Sequence, residues 1–545
     1  MLVLVLAGVV AWLVHADTLR YGFDYDDYHF LRPYTPAEVL ATFHGPWDLT
    51  GIEVKFYRPL TVVLYATRFE LFGLNATAHH GVSLTLFSLV ASLTGWLVYR
   101  FTGRPIAAAA AVLVVACHPA MPYSLVAWIT NQMHLAQTLL VLAALLWWHT
   151  VRSRSLIWWV PLLGLATAAF MIKEDGLMLL PVIVTLHAVT RRVAEPGLRP
   201  VSWTFLGLSS LLLLALLALR ASALGELGGY GRPTMHAAWV NYTRGLTGVF
   251  RLVPADRPWQ PVASWFATLL PVAALVGWRS VTRGARATLL AGVVIAVLFN
   301  LPFVFVTKPE QVYLVGLGAA IALTGASAGL LDVVLRTRAR QAGAVAVAVV
   351  LAAGLASFVA VTRDITRDFE PFGPIVLSHD DIVRTWGPVP PELREYLALK
   401  REPEAADRVS PNPLDELTHV TFGVHGRETS PHGVGYMWMS GPRAEIHVRE
   451  NARSVTIPLR HPIEAFREPT RARIEADGRL ADDLALDTPE WRMAIVPLLA
   501  ADIPRVSRMH RIRISIDHAW RPSDVIPRST DERVLALQIG EVAVR

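Results

Sequence analysis

Eleven apolar stretches constrain what this chain can fold into more than any other feature. They fall at 1–16, 78–101, 105–121, 131–149, 156–172, 176–190, 201–220, 263–278, 287–307, 310–331 and 341–361. A bilayer core takes roughly 17–25 residues of helix to cross, and a helix satisfies its own backbone polar groups where no water can. The chain therefore reads as an α-helical polytopic membrane protein of about 11 transmembrane helices. Composition agrees, with 53% hydrophobic and 17% charged residues and a mean hydropathy of +0.41. The first stretch is a span or a signal sequence; the lack of a basic region before Leu2 speaks against the signal.

A formal charge of +6 and a pI near 9.5 would suit nucleic acid, but the arginines sit in short clusters between apolar runs. Arg100/Arg104, Arg152/Arg154, Arg191/Arg192/Arg199, Arg279/Arg283/Arg286 and Arg336/Arg338/Arg340 occupy every second connection. That is the positive-inside pattern, so the basic balance reports topology and no nucleic-acid partner is expected. Those connections are expected to be cytoplasmic, which puts 17–77, 122–130, 173–175, 221–262, 308–309 and everything after 362 outside. The localisation expected is a bacterial inner membrane, with the C-terminal part extracytoplasmic. A single cysteine, Cys117, excludes an intramolecular disulfide and a cysteine-based zinc site.

The composition changes after the last stretch. Residues 362–415 form a linker that is rich in proline and charge from about 370. From 416 to 545 the pattern alternates, as in 444–448, 454–457, 511–516 and 534–539, which predicts short strands and an all-β sandwich domain. The division expected is thus 1–361 membrane domain, 362–415 linker and 416–545 β domain. Within the first outer loop, Pro59 opens an expected helix with Leu60, Val63, Leu64 and Leu71 on one face, lying at the interface or forming an extra short span.

Unusual polar residues concentrate on the outer connections. Asp24, Asp26 and Asp27 are joined by His29, His44, Asp48, Glu53, Lys55 and Arg58 in the first loop. His118, Trp128, Asn131 and His134 sit on or beside the second. The third is only Lys173-Glu174-Asp175, three charges between two apolar helices, and the fifth is Lys308-Pro309. Each can be a solvated turn, but an ionic triplet in so tight a turn asks for partners. The stretches themselves carry almost no ionisable side chains beyond His134 and His187, which disfavours an ion-coupled transporter. A carboxylate base with cations beside it suits transfer of a group from a lipid-linked phosphate donor: the base takes a proton from an acceptor hydroxyl, and lysine or arginine offsets charge on the departing phosphate. No glycine-rich nucleotide loop is present. The three aspartates can also present oxygen ligands to a divalent cation; no other cofactor is indicated.

The acidic pair Asp26-Asp27 with its following His29-Phe30, then Tyr57-Arg58-Pro59-Leu60, a His-Pro-containing second loop ending in Val126-Ala127-Trp128-Ile129, and Lys173-Glu174 on the third resemble, in order and sidedness, the GT-C superfamily of integral membrane glycosyltransferases. The nearest likeness is to protein O-mannosyltransferases and to transmembrane mannosyltransferases with tetratricopeptide repeats, over residues 1–335. The resemblance implies a polyprenyl-phosphate sugar donor and a protein or glycan acceptor. It also implies Asp26 as base with Asp27 beside it, and Arg58, His29, Lys173, Glu174, Trp128 and Lys308 as substrate-binding residues. Two departures stand out. Tyr123-Ser124-Leu125 and Asn131-Gln132 replace the family's Glu and Gly-Arg in the second loop, and Gln311-Val312-Tyr313 replaces its Arg-x-Leu-Tyr pattern. The alternative reading is a non-enzymatic scaffold displaying the β domain, or a transporter of lipid-linked saccharide.

Overall fold

The computed structural model describes residues 2–23, 27–48, 56–118, 129–225, 234–251, 270–273, 278–305, 313–335, 340–368, 418–430, 433–466, 468–499 and 509–545. They gather into two compact units. One comprises Met1–Tyr21, Pro36–Leu64 and His80–Glu370; the other comprises Gly22–Thr35, Tyr65–His79 and Pro371–Arg545.

The first unit is helical. Among the described residues, six helices are long and apolar enough to cross a membrane: Ala76–Thr102, Gln132–Val151, Glu174–Val193, Trp203–Leu224, Arg283–Val304 and Tyr313–Leu335. Shorter apolar helices run over Gly8–Leu19, Pro105–Cys117, Leu156–Ile172 and Val347–Thr362. These ten coincide with ten of the eleven apolar stretches; the other, 263–278, lies mostly outside the described residues. The chain is a multi-pass membrane protein of helices with a C-terminal β region. Local chemistry sets the helix ends. Ser202 Oγ accepts the Phe205 N–H at 3.2 Å ahead of Trp203–Leu224, and Pro105 opens Pro105–Cys117 where its missing N–H costs nothing.

Arginine-rich connections pair with carboxylates at their own end of the bundle. Arg104 and Thr282 both reach the buried Asp332, and Arg152 Nη2 lies 2.5 Å from Glu195 Oε1. The core holds Phe87, Trp148, Phe299 and Tyr313. Its tightest crossing lies between Arg283–Phe299 and Tyr313–Leu335. A Cβ on Gly318 would lie 2.4 Å from the Ala296 nitrogen, and one on Gly292 would lie 2.2 Å from that of Ala322. Lipid tails are as apolar as leucine, so close backbone approach between small residues is what holds such helices together.

The second unit is built on strands β1 (His419–Phe422), β2 (Glu428–Thr429), β3 (Gly435–Trp438), β4 (Arg443–Arg449), β5 (Ser454–Arg460), β6 (Thr470–Ala476), β7 (Arg479–Leu486), β8 (Arg492–Pro497), β9 (Met509–Ser515), β10 (Gln538–Ile539) and β11 (Ala543–Val544). All pairings are antiparallel. One sheet runs β1-β4-β9-β6-β7; the other runs β11-β5-β10-β3-β2, with β8 also on β5. Both contribute to a single core, with Ile446, Ile474, Ile512 and Ile514 from one and Val455, Ile457, Val496 and Ile539 from the other. The strand expected at 534–539 is shorter than its alternation suggested: only Gln538–Ile539 pairs as a strand, and Leu535 makes an isolated bridge to Trp520.

The expected helix after Pro59 forms over Pro59–Phe72. Its buried face carries Thr61, Val62, Tyr65, Arg68 and Phe69, while Leu60, Val63 and Leu64 are half-buried and Leu71 is 52% exposed. The apolar stripe seen in the sequence is therefore the outward face.

Gly318→Leu should lower thermal stability in detergent by about 1–3 kcal/mol or more, since backbone must move to admit the side chain. Gly207→Ala has open space around it and should be neutral or stabilise by up to about 1 kcal/mol. Thermal unfolding of the two variants side by side checks both.

Candidate functional site

The first unit carries a compact ionic cluster at the end of the helices opposite the arginine-rich connections. Helix Leu156–Ile172 stops at Lys173, whose backbone is extended, and the next turn, Glu174–Met178, is a tight 3-10 helix. Gly176 makes this turn possible: a Cβ there would sit 2.4 Å from the Ala169 carbonyl carbon. Two carboxylates and an ammonium are thereby pressed against apolar helices.

Tyr57-Arg58 docks on this turn. The Tyr57 N–H donates to Glu174 Oε1 at 2.9 Å, Arg58 Nε donates to Glu174 Oε2 at 3.0 Å, and Thr61 Oγ1 donates to the Ile172 carbonyl at 2.7 Å. The Arg58 guanidinium lies 3.9 Å from the Phe56 ring centroid and 4.7 Å from that of Trp47, cation–π contacts that help hold it beside its carboxylate. Arg220, from helix Trp203–Leu224, brings a second cation, its Nε 3.8 Å from Glu174 Oε1.

Next to this, Lys173 Nζ lies 2.9 Å from Asp175 Oδ2, and both side chains are buried. Gln137 from helix Gln132–Val151 reaches Asp175 Oδ1 at 2.5 Å and the Lys173 carbonyl at 2.9 Å through its amide nitrogen. Phe303 lies under Lys173, 5.2 Å from Nζ to its ring centroid. Burial pulls the Lys173 ammonium below the ordinary lysine range, Arg58 adds to that, and Asp175 acts in the opposite direction. His134 lies within electrostatic range of Lys173 and Arg58. Tyr313 packs 6.3 Å from the His134 ring, and its buried hydroxyl has no hydrogen-bond partner among the described residues. Among the described residues, Arg58, Lys173 and Arg220 thus meet Glu174 and Asp175 in one cluster.

Of the residues expected from the sequence, Arg58, Lys173 and Glu174 come together here. Asp26, Trp128 and Lys308 lie outside the described residues. His29 is on the helical turn Asp27–Phe30, its side chain outside them. Asp27 belongs to the second unit, where it is buried and its charge acts on the buried Arg68. Among the described residues no group of three His, Cys, Asp or Glu side chains is arranged to hold a metal. His79 and His80 serve packing: His79 Nε2 meets the Gly73 carbonyl at 2.9 Å, and His80 packs on Tyr21.

Sequence reasoning did not single out Arg220 and Gln137. The signal for Arg220 was present, since a lone arginine inside a 22-residue apolar helix needs a partner. Its place at the end of the apolar stretch hid it. Gln137 carries no such signal, because a buried amide is common in a span.

No family model matches this sequence, and no curated protein does. A solved structure similar to it is the arabinosyltransferase EmbB from Mycobacterium smegmatis, determined by single-particle cryo-EM, at a TM-score of 0.33 and 13% identity over 99% of this chain. The chain spans 64% of the length of that protein. A likeness at that score fixes neither fold nor activity.

Lys173→Met should cost about 3–5 kcal/mol by stranding Asp175 in an apolar setting, and Lys173→Met with Asp175→Leu should recover most of it. Wild-type stability should rise with pH between the lowered native pKa of Lys173 and the ordinary lysine value, because there the unfolded chain holds a proton that the folded chain has released. Thermal unfolding across pH checks both, and Lys173→Met should lack the slope.

Proposed function

We propose that this chain is a GT-C-like glycosyltransferase that moves a sugar from a polyprenyl-phosphate-linked donor to a protein or glycan acceptor at the outer face of the membrane. The observation that carries this reading is the buried cluster of Arg58, Lys173 and Arg220 with Glu174 and Asp175, cation-rich and set among helices that are otherwise nearly uncharged. Charge buried among apolar spans is costly and is ordinarily tied to function. Fixed cations are what a phosphate ester needs as its bond to the sugar breaks.

In this reading the acceptor oxygen attacks the anomeric carbon and gives its proton to the Asp26 carboxylate. The bond from that carbon to the phosphate oxygen breaks, and its electron pair leaves on the phosphate. Arg58 and Lys173 offset the charge that builds there. Glu174 orients Arg58 and Arg220, and Asp175 does the same for Lys173. Asp27, beside Arg68, holds the acidic turn and neighbours the base. His29, Trp128 and Lys308 bind substrate, as the resemblance implies. The C-terminal β domain, the 362–415 linker and the first outer loop would then all lie on the extracytoplasmic side.

Asp26→Asn should cut transfer from a polyprenyl-phosphate sugar by ~10²–10⁴-fold while leaving thermal stability and donor binding as they are. An assay of wild type and variant against a panel of such donors decides it. Transfer retained by the variant would contradict the assignment of the base.

A further inference from the structure

The second unit joins two pieces of the N-terminal region, Gly22–Thr35 and Tyr65–His79, to the C-terminal strands. We propose that Arg511, with the rings of Phe422 and His447, is a positioning device that holds the C-terminal turn of helix Pro59–Phe72 and through it fixes Phe23 and the turn Asp27–Phe30, the two flanks of the acidic stretch. The clamp itself is independent of the function proposed above; its consequence for catalysis rests on that reading.

The last carbonyls of a helix have no partner within it, and a cation at that end is favoured by the helix dipole. Arg511, on β9, meets both needs. Its Nη2 donates to the carbonyls of Phe69 at 3.1 Å and Glu70 at 3.2 Å, and its Nη1 lies 2.7 Å from Glu70 Oε1. The guanidinium is held from behind as well, with Nε 3.8 Å from Oε2 of the buried Glu445. Burial works against the charge on that carboxylate, but His447, Arg443 and Arg511 hold it below the usual range. Phe69, fully buried, lies edge-on to Phe422 at 5.5 Å and to His447 at 5.4 Å between centroids.

On the same helix, the neighbouring buried residues turn to the acidic loop. Arg68 Nη2 donates to the His79 carbonyl at 2.6 Å, and the Asp27 carboxylate supplies the opposite charge that this buried guanidinium requires. Tyr65 packs on Phe30, 5.7 Å between centroids. On the other flank of the aspartates, Phe23 packs edge-on to His79 at 5.7 Å, and His79 in turn packs on Phe72 at 5.5 Å. Residues on both sides of 24–26 are therefore anchored to the segment 65–79, and that segment is anchored to β1, β4 and β9. The β domain in this account is a brace for the acidic loop, a role different from that of an appended binding module.

The test is hydrogen–deuterium exchange on the full-length protein in detergent. In Arg511→Gln, amides of 27–35 and 65–79 should exchange about 10-fold or more faster, while β5 and helix Tyr313–Leu335 keep their protection. Arg511→Lys, which retains a cation and a donor, should restore part of the difference. Unchanged exchange in both segments would overturn the proposal. If Arg511→Gln also releases β5, Glu70→Ala carries the test: its side chain is 62% exposed and removes one arm of the clamp, so faster exchange confined to 27–35 and 65–79 supports the proposal and unchanged exchange overturns it. In the transfer assay Arg511→Gln should lower kcat by ~10–100-fold, since a base displaced by an ångström loses that much, with donor KM within about twofold. A kcat equal to wild type would overturn the catalytic consequence. A wild type with no transfer from any such donor would contradict the proposed function and leave the exchange result standing.

Discussion

The ion pairing between Arg58 and Glu174 is the interaction on which the helical unit's polar chemistry depends. Bringing charges out of water costs several kcal/mol per ion, which good geometry and added hydrogen bonds have to offset. Glu174 answers with the Tyr57 N–H, Arg58 and Arg220, and Arg58 answers further with two aromatic faces. Remove Glu174, and Arg58 and Arg220 each lose this carboxylate. With it in place, the start of helix Pro59–Phe72, the Lys173–Asp175 turn and helix Trp203–Leu224 are fixed as one arrangement. Gly176 sets the register of that turn by packing directly on the preceding helix. A local steric requirement and a long-range ion pair thus hold the same few residues.

The β unit obeys a parallel logic with different materials. Its core is aliphatic and closed, yet β4 and β9 carry Arg443, Glu445, His447, Arg511 and Arg513 on the same side. Beside them opens a pocket of about 200 Å³ whose guanidiniums are already matched by Glu70 and Glu475. On this face Arg511 binds a helix end, while Arg443, His447 and Arg513 gather on Glu445. Elsewhere in the unit Trp438 is buried, and Trp520 lies 3.7 Å from the Phe466 ring.

How much of this was legible in the sequence follows from the range of each signal. Apolar helices are written in consecutive residues and were readable, as were strands such as β5 and β9, whose burial alternates along the chain. The pairing of Tyr57-Arg58 with Lys173-Glu174 was foreshadowed by unusual charges but not by any local rule, since 116 residues separate Arg58 from Glu174. The helix Pro59–Phe72 was expected with its aliphatic stripe as its defining face; the structure buries Arg68 and Phe69 instead, because the partners for those side chains lie in the acidic loop and in strands near the C-terminus. The joining of 22–35 and 65–79 to the β strands leaves no trace in composition or period. It is a product of long-range packing alone.

The central claim is that the buried cations take the phosphate of a lipid-linked donor. It is tested most directly by titrating a short-chain polyprenyl phosphate into the folded protein and into Lys173→Met and Arg58→Gln variants whose unfolding shows them intact. Affinity should be ~10–100-fold weaker in each variant, the loss of one charge-assisted contact of about 1.4–2.7 kcal/mol. Equal affinity in wild type and both folded variants would contradict it.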